Sequence, residues 1–307
     1  MFTTVLRSAM TFVVVGLAAA HCGAALAITG GVSVDEVLAE GAGSRFTQEQ
    51  VELAHAVSAV TVKLVNANAN GQGGTMCTAT IVHPRVVLTA AHCVLNGREV
   101  SRRITVLFEH GASRRQALDV VVHPNALKAV PGRGNTPPAQ GRILIDIAFI
   151  SVDFALILLH RPAPDFHDVV APVPRGFRDS RTSTKLIAGY GKVDEHQSRE
   201  KLSLHFAEVQ ANSKLDQGIV NGEGEIFLES RYRNGARVNV CSGDSGGPIF
   251  VVDRAASQLL QLAVASAADE HCRDNALFAS IDKQRAALRA MFDALMHGEA
   301  DARDNPF

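Results

Sequence analysis

The chain has no tryptophan, only two tyrosines and 5% aromatic residues overall, so its cores must be built from Val, Leu, Ile, Ala and Phe. A dominant charge is missing too. The formal net charge of −1 speaks against nucleic acid or acidic membrane surfaces as partners. No repeat of solenoid length occurs, and no metal-ligand cluster stands out. The one strongly apolar stretch near the start, Met10 to Ala20, is too short and too Ala-rich for a membrane span. What is present is 307 residues that are 47% hydrophobic, enough for two moderate cores.

The first residues read as an export signal. Arg7 supplies positive charge, Met10 to Ala20 is apolar, and Ala25-Leu26-Ala27 offers a small-x-small cleavage site. Residues 1–27 are therefore expected to be removed, and the product to be secreted or periplasmic, with no stable membrane insertion. A lipid-modified Cys22 is the alternative, for which His21 is a poor fit. Of five cysteines, loss of Cys22 leaves Cys77, Cys93, Cys241 and Cys272. Four cysteines allow three pairings, and an exported chain would be expected to form disulfides.

Read in order, Thr47 to Ala54 looks like a short capped helix. Ala59 to Val65 is β-branched and apolar, and Asn66 to Gly74 is a Gly-rich turn. Cys77 to Val82 and Val86 to Thr89 alternate as strands, split by His83-Pro84-Arg85. Ile104 to Phe108 and Ala117 to His123 continue the rhythm, and Val130 to Gly141 is a Pro/Gly-rich surface loop. Ile143 to Leu159 is the most apolar stretch beyond the signal, and Pro162 to Pro174 reads as a connection between halves. Further strands are expected at Lys185 to Gly191, Leu202 to Gln210, Ile226 to Leu228, Pro248 to Val252 and Leu259 to Ala265. Ile281 to Met296 has apolar residues at helical spacing and is predicted to be a packing helix. His83, His123 and His271 are expected on the surface or in turns.

Chemistry concentrates in two strings. Cys241-Ser242-Gly243-Asp244-Ser245-Gly246-Gly247-Pro248 places a serine between glycines, whose φ freedom permits a tight turn that aims N–H groups at one point. Gly-x-Ser-x-Gly alone is shared by two unrelated hydrolase folds. Together with Thr89-Ala90-Ala91-His92-Cys93 upstream, it makes the chain resemble the trypsin/chymotrypsin-like serine peptidases. The order His, Asp, Ser fits that family and opposes an α/β-hydrolase, in which serine comes first.

The resemblance implies an all-β fold of two antiparallel six-stranded barrels with a C-terminal α-helix. A leader would occupy 28–56, the first barrel 57–165, and the second barrel with the helix 166–307. Ser245 would be the nucleophile, His92 its base, and Asp153 the orienting carboxylate. Asp153-Phe154-Ala155-Leu156 followed by Arg161-Pro162 matches the family pattern, while Asp146-Ile147-Ala148-Phe149 is a second candidate lacking the proline. The N–H groups of Gly243 and Ser245 would form the oxyanion hole. Implied disulfides are Cys77–Cys93 and Cys241–Cys272.

In the resembled family a free N-terminus pairs with the aspartate before the nucleophile. Here that makes Ile28, in Ile28-Thr29-Gly30-Gly31, the partner of Asp244. A flexible leader is the alternative. The base of the substrate pocket would be Asn239, where trypsin-like members have aspartate, with Ser266, Ala268 and Ala276 as walls. Small or medium uncharged P1 residues are therefore expected, with Asp269 and Glu270 as a counter-influence. Partners would be peptide or protein substrates and protein inhibitors, and no cofactor or metal is implied. The competing expectation is a secreted, non-catalytic binding or regulatory protein on the same fold.

Overall fold

The computed structural model describes residues 28, 30–43, 45–67, 74–108, 112–129, 147–165, 167–177, 184–191, 203–210, 225–229, 232–233, 236–253, 258–268, 272, 275–299 and 304–307. The export signal in 1–27, the loop expected over 130–141, and Asp146, Asp269, Glu270 and His271 lie outside them.

The chain enters through a short strand β1 (Val32–Ser33) and two helices, α1 (Val34–Glu40) and α2 (Gln48–Val60). Thr47 starts α2 with a capping box. The Gln50 N–H donates to Thr47 Oγ1 at 3.2 Å, and the Thr47 N–H donates to Gln50 Oε1 at 2.9 Å. Leu53, Ala54, Val57 and Val60 form its buried stripe. The helix runs further than its sequence suggests, because Val57 and Val60 continue that stripe and tertiary packing overrides β-branched propensity. The strand expected from Ala59 begins at Thr61 instead.

Then follow β2 (Thr61–Ala67), β3 (Gly74–His83), β4 (Val86–Thr89), a small hairpin β5 (Leu95–Asn96) with β6 (Glu99–Val100), β7 (Ile104–Phe108) and β8 (Ser113–Val122). One-turn helices α3 (Ala126–Ala129) and α4 (Ile147–Ile150) precede β9 (Ala155–Leu159). Six of these strands close a barrel in the order β2-β3-β4-β9-β8-β7. Alternation is clear in β7, where Ile104, Val106 and Phe108 point inward. In β9 every residue is buried, because the C-terminal helix α5 (Ile281–Leu295) lies against β8 and β9 from outside.

The second half contains β10 (Ala171–Pro172), β11 (Thr184–Gly189), β12 (His205–Gln210), β13 (Glu225–Glu229), a short β14 (Tyr232–Arg233) and β15 (Ala236–Arg237) pair, β16 (Pro248–Asp253), β17 (Gln258–Ala268) and β18 (Asn275–Ser280). Among the described residues β14 and β15 form a separate two-stranded sheet, and the other seven join β1 in one eight-stranded sheet, ordered β1-β12-β11-β16-β17-β18-β13 with β10 beside β17. The N-terminal β1 is thus an edge of the second sheet, while α2 packs on β2 and β3 of the first barrel. The all-β class with a C-terminal helix is as the sequence leads one to expect. Ile28 belongs to the second apolar core, with Val173, Ile187, Ile249, Ala276 and Phe278.

Two disulfides are present, Cys77–Cys93 in the first half and Cys241–Cys272 in the second. They close separations of 16 and 31 residues. Each such closure is worth roughly 3–4 kcal/mol in the chain-entropy account. Among the described residues no helix is long and apolar enough to cross a membrane.

His83 and His123 are not surface residues: they are 4% and 2% exposed. Each does cap a turn, accepting at Nδ1 from the N–H of Arg85 and Asn125 respectively, at 3.2 Å. The imidazole of His83 also packs edge-on to Phe292 of α5.

Candidate active site

Antiparallel pairing of β4 with β9 sets Thr89 opposite Ala155. His92, three residues beyond Thr89, and Asp153, two before Ala155, therefore emerge at the same end of the barrel. Their side chains meet. Asp153 Oδ2 accepts from His92 Nδ1 at 2.7 Å, and Oδ1 accepts from the His92 N–H at 3.0 Å. A third donor, Ser266 Oγ, reaches Oδ2 at 2.5 Å. Asp153 is wholly buried within an apolar run, where a charge is tolerable only if its oxygens are satisfied.

With the carboxylate accepting, the proton of a neutral His92 sits on Nδ1 and Nε2 is left as a base. Burial alone would lower the pKa of His92. The Asp153 charge and hydrogen bond outweigh that and raise it above the ordinary histidine value.

Ser266, expected in a pocket wall, has its hydroxyl on Asp153, a contact the sequence did not suggest. It occupies a bulge of β17, where the register shifts between Ala265 and Ala267 opposite β18. A bulge re-aims the side chain it carries. The available signal was a lone hydroxyl in an apolar strand, which requires a buried partner.

Ser245 lies on a turn closed by Asp244 N–H to Cys241 O at 2.9 Å and Gly247 N–H to Asp244 O at 2.8 Å. Gly243 and Gly246 have φ of 105° and 81°, values that side chains resist. Strand β3 holds the turn from one side. The Thr78 N–H donates to Ser245 O at 2.8 Å, and Thr78 Oγ1 donates to Gly243 O at 3.0 Å. A β-carbon on Gly246 would collide with Thr89 Oγ1 and Thr78 O, so the turn approaches the first barrel too closely for any side chain.

Among the described residues, the N–H groups of Gly243 and Ser245 have no acceptor in the chain. Ser245 and His92 flank one sulfur: Cys93 Sγ is 3.5 Å from Ser245 O and 3.8 Å from His92 Nε2. No hydrogen bond joins the Ser245 hydroxyl to His92 among the described residues. Such bonds are often long before substrate arrives. Cys77, His92 and Cys93 are close enough to hold a metal, but both sulfurs are consumed in the disulfide.

Beside the serine, the carboxylate of Asp244 is wholly buried. It accepts from the N–H of Gly191 at 2.7 Å and of Cys241 at 2.8 Å, and also from the backbone of Ile28. Gly189 and Gly191 make its seat, since a β-carbon on either would strike the carboxylate. Burial raises the Asp244 pKa, the three backbone hydrogen bonds only partly oppose it, and the result is about 7. Ile28 is likewise fully buried, so the structure brings together the two residues that sequence reasoning paired.

Of the expected pocket residues, Asn239 is buried, with Oδ1 accepting from the Val240 N–H at 2.9 Å. Its neighbours Val238 and Val240 pack in the same core as Ala276. Ala268 and Ala276 are cross-strand partners on β17 and β18, so their methyl groups are adjacent.

A family model described as Trypsin matches residues 54–285. Among curated proteins, kallikrein 1-related peptidases b26 and b21 of Mus musculus are 28% and 26% identical over 180 residues. Each alignment covers 57% of this chain and 65% of the relative. Tonin of Rattus norvegicus is 25% identical, over 57% of this chain and 66% of its own length. The chain thus spans about two thirds of the length of these relatives.

Proposed function

The chain belongs to the trypsin family, and on that premise we propose that it is an exported serine endopeptidase that cleaves peptide or protein substrates through Ser245, His92 and Asp153. The observation that carries this reading is the 2.7 Å bond from His92 Nδ1 to the buried Asp153, which leaves Nε2 free to take a proton. The Ser245 hydroxyl attacks the scissile carbonyl as His92 takes its proton, and an acyl-enzyme forms. His92 delivers that proton to the departing amine, then activates the water that releases the acyl group. The uncommitted N–H groups of Gly243 and Ser245 receive the developing oxyanion, a stabilisation of about 3–4 kcal/mol per donor.

The two disulfides favour an oxidising compartment, in keeping with a signal over 1–27. Cleavage after Ala27 would convert the Ile28 amide, already at Asp244, into an ammonium that pairs with it. The uncharged Asn239 and the paired Ala268 and Ala276 favour small or medium uncharged P1 residues. Peptides with varied P1 residues test this, and best cleavage after Arg or Lys would overturn it.

The second reading, a binding or regulatory protein on this fold, is favoured by the missing hydrogen bond between Ser245 and His92 among the described residues. A fluorophosphonate probe separates the two. Labelling of the processed protein that disappears in Ser245→Ala supports the peptidase. A folded, processed protein that does not label supports the binding module.

A further inference from the structure

Among the described residues the sulfur atoms differ in bonding and in accessibility. Cys77, Cys93, Cys241 and Cys272 are all paired. Of the five methionines, Met1 and Met10 fall within 1–27, and Met291 and Met296 are 3% and 0% exposed. Met76 alone among the described methionines is partly exposed. It stands on β3 two residues before Thr78, so strand alternation puts both side chains on the face that meets the Ser245 turn. Thr78 Oγ1 donates to Gly243 O at 3.0 Å, and a β-carbon built on Gly243 would lie 3.3 Å from Met76 Cε.

We propose that Met76 is an oxidation site through which peroxides switch the Ser245 turn off. The thioether sulfur attacks one peroxide oxygen, the O–O bond breaks, and methionine sulfoxide and water (or an alcohol) result. Sulfur loses two electrons and the peroxide gains them. The reaction turns a soft apolar side chain into one bearing a strong hydrogen-bond acceptor. That acceptor forms beside Gly243, whose N–H has no partner in the chain among the described residues. The sulfoxide oxygen takes this N–H and withdraws it from the oxyanion. The effect on activity rests on the peptidase reading, whereas the site selectivity does not.

The test treats the full processed protein with hydrogen peroxide and follows three quantities. Peptide mass spectrometry should find one added oxygen at Met76 before Met291 or Met296. Fluorophosphonate labelling should fall in step with it by roughly 10²-fold, the worth of one oxyanion donor. Hydrogen exchange at Gly243 should slow as its N–H gains a partner. Met76→Leu should resist the loss, and methionine sulfoxide reductase should restore the unmutated protein, an arm independent of how the variant folds. Oxidation that begins at Met291 or Met296, or Met76 sulfoxide with unchanged labelling and exchange, overturns the proposal. If the untreated protein does not label at all, the peptidase reading fails instead, and the mass and exchange results decide on Met76.

Discussion

Gly246 and Thr89 touch across the seam between the two halves, with no room for a β-carbon on the glycine. Thr89 lies three residues before His92, and Gly246 directly follows Ser245. The contact therefore sets how far apart the candidate base and nucleophile stand. Thr89 is itself fixed, since its hydroxyl donates to Thr78 O at 2.8 Å. Gly246→Ala should lower stability by about 2 kcal/mol or more, from the positive φ and the overlap together. It should slow fluorophosphonate labelling even where the fold survives. Urea denaturation and labelling rates check this, and an unchanged midpoint with unchanged rate would contradict it.

Asp153→Asn should reduce turnover by roughly 10⁴-fold by favouring the wrong tautomer of His92. Asp146→Asn should leave turnover near its starting value. The reverse outcome in steady-state peptide hydrolysis would transfer the role to Asp146.

The pH dependence has a definite sign. Hydrolysis needs neutral His92, so activity should rise with pH through a His92 pKa above its ordinary value. Stability from the His92–Asp153 pair moves oppositely: it is fully present below the unfolded-state pKa and is lost as pH rises through the folded one. Removing the charge in Asp153→Asn leaves only the burial effect and should move the acid limb to lower pH. A pH–rate profile that moved upward would contradict the assignment.

Asp244 gives a comparison between two forms of the protein. In a chain extended before Ile28, its folded pKa is about 7, raised by burial above the unfolded carboxylate value. The stabilisation from its protonated form is complete below the unfolded pKa and disappears as pH rises through about 7. A chain beginning at Ile28 supplies an ammonium that favours the carboxylate, so its stability should fall less over the same interval. It should also label faster. Thermal melts from pH 5 to pH 8 on both forms measure the difference, and parallel curves would count against the pairing.

Replacing Cys77 and Cys93 together by Ala should cost about 3 kcal/mol, given the 16-residue separation. Because Cys93 Sγ contacts both His92 and Ser245, labelling should slow as well. The Cys241→Ala/Cys272→Ala pair should cost a similar amount of stability. Equal labelling in the Cys77/Cys93 variant and the intact protein would show that the sulfur does not position the two residues.

How legible this was depended on the range of the interactions. The strings around His92, Asp153 and Ser245 stand out because each holds its signal within a few residues, and the structure brings His92 and Asp153 together. The Thr47 cap was readable for the same reason, as both of its hydrogen bonds are local. What escaped was set by distant partners. Ser266 faces Asp153 only because of a bulge against β18. That strand, Asn275–Ser280, was itself not foreseen, because pairing with β17 and β13 decides it rather than local alternation. His83 looks like a turn residue in sequence, and its buried ring meets Phe292 from the far end of the chain, a contact that no local pattern reveals.

The edge position of β1 has a temporal consequence. Val32 and Ser33 pair with Phe206 and His205, more than half the chain length away. During synthesis from the N-terminus, the opening segment must therefore wait, its edge unpaired, until β12 has been made. Closing so long a loop is entropically slow, and non-local pairing of this kind lowers folding rates. The first barrel, whose strands lie closer together in sequence, is free to form during that wait. The surface that seats Ile28 beside Asp244 is accordingly among the last parts of the molecule to be completed.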